Sequence, residues 1–401
     1  MSGTTSNQTT SNQMKAVVCQ NGKLDVRDVA RPEPGEGNVL LKVLRAGICG
    51  SDLHARTHCD DTADIATEVG YDNFMRSADA VVMGHEFVGE VVSYGPGCRK
   101  RWKPGTRICA LPIIMHGGDV EMVGLAQQAP GAFAEYIEVS EALAMPVPDD
   151  VSDEDAALTE PLAVAHHAVR RSGIGKRDVA VVIGCGPIGL SVIMLLKAAG
   201  VKTVVASDLS QGRRALAARC GADKVVDPTQ ESPYSAVKQQ QKHFTDAPAL
   251  FGEAFKALKA LQTIPGVPWR HIVRLASDAG LTPSGPVVFE CVGVPGMIDS
   301  IIRDSPLRSL VVVVGVCMEA DTIRPALAIN KEIDLRFVFG YNPDEFAEIL
   351  HFMHKGTIDP SVLITATVGP DGMASAFDGL GKAEKHAKVL FDPSSAVSEL
   401  S

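Results

Sequence analysis

No two of the nine cysteines stand in a Cys-x-x-Cys arrangement; they fall at 19, 49, 59, 98, 109, 185, 220, 291 and 317. An odd count at irregular spacings excludes a disulfide scaffold and points to a reduced, intracellular, cytoplasmic chain. Positive charge is also short. Thirty-eight Lys and Arg face 48 Asp and Glu, a net charge of −10. That argues against nucleic acid or an anionic membrane surface as partner. Residues 1–13 have neither a basic start nor an apolar core, so they do not read as a signal peptide; their Ser/Thr/Asn/Gln-rich composition predicts disorder. One run, Val179 to Leu196, has no charge for 18 residues. Three glycines and Pro187 interrupt it, so it reads as a buried strand, a tight turn and a buried helix rather than a membrane span. There is no internal repeat.

What is present is ordinary globular material of 401 residues, 45% hydrophobic and 21% charged, enough for two or three domains. Residues 14–160 read as short β-rich runs, Ala16–Val18, Val39–Ala46, Phe87–Tyr94, Thr106–Leu111 and Ala134–Val139. Gly and Pro pairs separate them, which predicts a β-barrel-like domain. After Glu160 the rhythm changes. Apolar strands at Val179–Cys185, Thr203–Ser207, Lys224–Val226, Pro286–Cys291 and Leu310–Val316 alternate with helices at 188–199 and 212–220. Continuous apolar strands between helices predict a doubly wound parallel α/β sheet.

Three motifs carry chemistry. Gly184, Gly186 and Gly189, with Pro187 and Ile188 between them, form G-x-G-x-x-G after a strand and at the start of a helix. This pattern cradles a dinucleotide pyrophosphate on free backbone N–H groups. Asp208 ends the next strand, placed to accept bonds from the ribose hydroxyls of NAD and to repel the 2′-phosphate of NADP. Arg213 lies five residues on and reaches the same ribose or a phosphate. The competing reading of Asp208 is that it caps the following helix. The other two motifs are Gly47–His54, which holds Cys49, and Gly84-His85-Glu86. A catalytic zinc takes three N, S or O ligands and keeps an open position. Cys49 and His85 supply two. The third is Glu86 or Glu160, or the two exchange, or one acts through water. Either residue alone reads better as core; the pair in these two peptides reads as ligands.

Taken with Thr159–Ala165, Phe289–Gly293 and Val312–Val316, these segments resemble, in order from Met14 to Pro393, the zinc-dependent medium-chain alcohol dehydrogenases, which include sorbitol, threonine and secondary-alcohol dehydrogenases. The resemblance implies a GroES-like catalytic domain at 14–163, a Rossmann NAD-binding domain at 164–330, and a segment 331–401 that returns to the first. It implies that Ser51 bonds the substrate oxygen and that His54 ends a proton relay. Asp52 would orient the zinc-bound histidine, and Val292 and Val316 would contact the nicotinamide carboxamide. It implies NAD(H), one catalytic zinc and a homodimer or homotetramer acting on a small, secondary alcohol or its ketone. Only Cys98 and Cys109 lie where the family's four structural-zinc cysteines stand, so no structural zinc is predicted. Two segments are longer than the family pattern. One joins Cys49 to His85, with His58 and Cys59 expected as an exposed loop pair and Tyr71 and Phe74 as pocket-shaping aromatics. The other is 229–284, with a helical run at Phe251–Leu261. His166 and His167 read as surface or packing residues. Lys388 reads equally as a cofactor-phosphate contact or a solvated lysine. The rival readings are a zinc-free NADP-dependent quinone or enone reductase, and a non-catalytic NAD(H)-binding protein. The sequence does not name the substrate.

Overall fold

The computed structural model describes residues 12–235, 243–266, 268–279, 282–381 and 386–400. The chain forms two units, Met1–Pro161 with Pro343–Ser401, and Leu162–Asn342.

The first unit is the GroES-like one. Its main sheet runs Ala144–Pro146, Arg107–Ala110, Glu86–Tyr94, Asn38–Gly47, Lys388–Phe391, Ile364–Val368, and Tyr136–Ser140 also pairs with Asn38–Gly47. A smaller sheet joins Gln13–Gln20 to Lys23–Ala30 and Val81–Val82. Gln13 thus starts a strand, and Arg31 N–H donates to Asn12 O at 3.1 Å. The expectation of disorder fails for those two residues, because sheet pairing outweighs polar composition; residues 1–11 lie outside the described set. Phe133, Phe377 and Phe391 meet edge-to-face in the core of this unit.

The segment after Cys49 is a helix, Gly50–Glu68, and not a long loop. Cys49 caps it, and the Cys49 N–H donates to Asp52 Oδ2 at 2.9 Å. Asp52, Ala55, Cys59 and Ala63 make its buried face at helical spacing. Cys59 is therefore a buried residue, correcting the exposed pair with His58. Phe74 is buried, and the Tyr71 hydroxyl donates to Glu121 Oε2, so both aromatics serve packing.

The second unit is the Rossmann one. Six parallel strands are ordered Lys224–Val226, Thr203–Ser207, Val179–Ile183, Val287–Glu290, Leu310–Val313, Asp334–Phe337. The order reverses between Val179–Ile183 and Val287–Glu290. Ligands of such sheets bind at that switch point, beyond the carboxyl ends of the strands. Val181, Val205, Val288 and Val311 fill the layer under the sheet. The long 229–284 segment holds two helices, Ala247–Gln262 and Trp269–Asp278, neither of which has a buried residue. Among the described residues no helix is long and apolar enough to cross a membrane.

Candidate active site

In the first unit the strand Asn38–Gly47 delivers Cys49, and Glu86 opens the neighbouring antiparallel strand directly after His85. The register Gly47↔Glu86 therefore brings the two motifs side by side. His85 is buried. Ser51 Oγ lies 3.0 Å from its Nε2, and Asp52 Oδ1 lies 3.3 Å from its Nδ1. The latter pair is misaligned for a hydrogen bond, leaving both atoms without a bonded partner. Burial alone would push the imidazole pKa down; the Asp52 carboxylate and the adjacent Cys49 sulfur outweigh it and hold the value well above 6.5. Sulfur and imidazole are thus neighbours, with a carboxylate behind the ring, the arrangement that fixes a metal-bound histidine.

Glu86 is committed elsewhere. Lys388 Nζ donates to both of its oxygens at 2.7 Å and to Ile48 O at 3.0 Å. Lys388 is 1% exposed, so it is neither a solvated lysine nor free for a cofactor phosphate. Glu160, in the first turn of the helix Thr159–Ser172, is 9% exposed, and its charge acts on Lys388 together with those of Glu86 and Cys49. Among the described residues no three donor groups close around one point. The donor chemistry of Cys49 and His85 suits zinc at two positions. Cys98 and Cys109 donate instead to Asn38 O and Ala156 O. His54 is half-buried, one turn beyond Ser51, and burial followed by the His58 charge lowers its pKa. His166 is buried and His167 half-buried on the helix Thr159–Ser172.

In the second unit, Gly184 has φ +89°, and a Cβ on Gly189 would sit 1.9 Å from Gly184 O. Only glycine permits that strand–helix approach. Gly186 caps the helix Pro187–Ala198, whose first turn includes Ile188. Asp208 Oδ2 accepts from the Cys185 N–H and Oδ1 from the Ser210 N–H, both at 2.7 Å. Ser210, not Asp208, caps the next helix. Arg213 lies against Gly186, a Cβ there being 3.9 Å from its Nη1, and its Nε is buried without a bonded partner. A cation beside an open helix N-terminus suits an anionic ligand. Val292 and Val316 are 40% and 58% exposed.

A Rossmann unit with an open glycine turn, built in one chain with a GroES-like unit that pairs cysteine with histidine, defines a medium-chain dehydrogenase. Known proteins agree. Residues 35–149 match the alcohol dehydrogenase GroES-like domain family and residues 187–264 the zinc-binding dehydrogenase family. The chain is 32% identical to (R,R)-butanediol dehydrogenase of Bacillus subtilis over 95% of its length and 100% of the relative's. It is 28% identical to L-threonine 3-dehydrogenase of Mesorhizobium japonicum, over 95% and 99%. The crystal structure of 2R,3R-butanediol dehydrogenase from Bacillus subtilis superposes with a TM-score of 0.71 at 30% identity, covering 95% and 99% of the two chains. A structure from Sinorhizobium meliloti bound to NADP gives 0.70 at 28% identity, with the same coverage. The chain belongs to the zinc-type medium-chain alcohol dehydrogenase family. It is an oxidoreductase that moves hydride between an alcohol and a ketone.

Proposed function

We propose that the chain oxidises a small secondary alcohol with NAD+, or reduces the matching ketone with NADH, using one zinc ion and no structural zinc. The observation that carries this reading is the meeting of Cys49 and His85, with Asp52 behind the imidazole. Cys49 and His85 would hold the metal, with Glu160 as the third ligand, since Glu86 is held by Lys388. Bound zinc would supply Lewis acidity toward the alcohol oxygen, and bound NAD+ the hydride acceptor.

The chain's own residues handle the proton. Ser51 Oγ takes the hydroxyl proton and gives up its own toward His54. His54 stays neutral at neutral pH because its pKa is lowered, so it is ready to receive that proton and release it to solvent. The Asp52 carboxylate, 3.3 Å from Nδ1, would hold the His85 ring by charge. Gly184, Gly186, Pro187, Ile188 and Gly189 would receive the pyrophosphate, Asp208 and Arg213 the adenosine ribose, and Val292 and Val316 the nicotinamide end. Asp208 favours NAD over NADP through repulsion of a 2′-phosphate. The relatives' substrates, a vicinal diol and a 3-hydroxy amino acid, suggest a polyol or hydroxy-substituted alcohol.

The test is a panel of secondary alcohols and diols at alkaline pH followed by NADH absorbance, with metal content measured on the same sample and NADP+ run in parallel. Turnover with NAD+ and about one zinc per chain is expected. Turnover in metal-free protein, or only with NADP+, would overturn the reading.

A further inference from the structure

The strand Val287–Glu290 ends in a buried carboxylate that the preceding mechanism leaves unused. Glu290 is 1% exposed. Its Oε1 accepts the N–H of Val292 at 2.7 Å and of Gly293 at 2.9 Å. Its backbone O accepts the N–H of Val314 and of Gly315, both at 2.9 Å. One residue thus gathers four N–H groups from the turns that follow two adjacent strands. The approach is tight. A Cβ on Gly315 would meet Gly293 N at 2.4 Å and Glu290 Oε2 at 2.7 Å, and a Cβ on Gly293 would meet Val316 O at 2.6 Å. Both turns lie at the carboxyl end of the sheet and both carry an exposed valine.

A buried carboxylate bonded only to backbone donors is costly unless each bond is made. Among the described residues Glu290 forms no ion pair. Its return is geometric: the side chain fixes the Val292 and Gly293 peptides, and the main-chain oxygen those of Val314 and Gly315, before any ligand arrives, so less ordering remains to oppose binding.

We propose that Glu290 is a positioning residue for the nicotinamide half of the cofactor, its side chain acting through the turn Cys291–Gly293. This rests on the nicotinamide reading of Val292 and Val316 given above.

The experiment compares wild type, Glu290→Gln and Glu290→Met, titrated with NADH by fluorescence and with ADP-ribose, which lacks the nicotinamide. Glu290→Gln keeps an acceptor oxygen and is expected within threefold of wild type for both ligands. Glu290→Met orphans two N–H groups and is expected to weaken NADH at least tenfold while ADP-ribose stays within twofold. The cofactor KM should rise more than kcat falls. Equal weakening of both ligands would make Glu290 a general folding residue and overturn the proposal, as would a Met variant with wild-type NADH affinity. Should Glu290→Met not fold, hydrogen exchange of the peptide spanning 291–294 in ligand-free wild type decides: strong protection is expected, and rapid exchange refutes the lock. Wild type that binds ADP-ribose but gains nothing from the nicotinamide would defeat the underlying cofactor reading, a result the wild-type titration separates from failure of Glu290.

Discussion

Lys388 Nζ lies 2.7 Å from both carboxylate oxygens of Glu86, although 302 positions separate them in the chain. The same ammonium bonds Ile48 O, the residue before Cys49, while Glu86 follows His85. One buried cation therefore ties together the peptides that carry the two metal-ligand candidates. Burial would lower its pKa; the Glu86 carboxylate more than offsets that and raises it.

Removing one partner of such a pair leaves an uncompensated buried charge. Lys388→Met should cost about 3–5 kcal/mol in urea unfolding. The double variant Lys388→Met with Glu86→Gln should recover most of that loss. A single variant as stable as wild type would show that the pair contributes nothing.

Cys49→Ala should lose both bound zinc and turnover, since one of the two converging donors disappears. Metal analysis beside a rate assay reads this out. Chelation of wild type should likewise abolish activity, and added Zn2+ should restore it. Retained zinc with normal turnover in Cys49→Ala refutes the ligand assignment.

Gly189→Ala would drive a methyl group to 1.9 Å from Gly184 O. Backbone must shift there, so a loss of about 1–3 kcal/mol is expected. NADH affinity should fall at least tenfold, because the displaced atoms belong to the pyrophosphate turn. Unchanged NADH titration would remove that turn from the cofactor site.

His54 has a lowered pKa, chiefly from burial and then from His58. Between the folded value and the ordinary 6.5 the unfolded chain binds more protons, so His54 contributes stability that rises with pH across that window and is lost as pH falls through it. As a relay base it keeps its neutral form to a lower pH than an imidazole of the ordinary value 6.5 would. The acid limb of kcat/KM should therefore lie below that value, and His54→Gln should flatten the limb while lowering the rate about 10- to 100-fold. A limb above pH 6.5 that survives the substitution excludes His54 from the relay.

Asp208 bonds the Cys185 and Ser210 N–H groups with its two oxygens, yet each oxygen retains a further lone pair. Asp208→Ser should shift the NAD+ to NADP+ preference, measured as a kcat/KM ratio, toward NADP+ by about tenfold or more, since the repelling charge is gone. An unmoved ratio would leave Asp208 as a brace for the glycine turn alone.

Local rules carried much of this molecule. Short runs set off by glycines and turns predict the strands Thr203–Ser207 and Lys224–Val226 at their observed limits, because strand and turn preferences act over a few residues. The glycine triad and the Cys49 and His85 peptides are legible for the same reason: their chemistry is set by residue type and short spacing. The helix Gly50–Glu68 is not, because its buried face is Asp52, Ala55, Cys59 and Ala63, too small and polar to show an apolar period. Lys23–Ala30 hides likewise, since its strand state comes from pairing with Gln13–Gln20 and not from its own charged sequence.

The sequence by itself determined the two-unit α/β architecture, the glycine turn and the residue types available to a metal. Only the folded chain decided which charges meet. Lys388 and Glu86 are residue types ordinarily found at the surface, and both are buried here because strands far apart in the chain lie side by side. Coulomb pairing in a water-free interior is a property of that arrangement, and no local pattern encodes it.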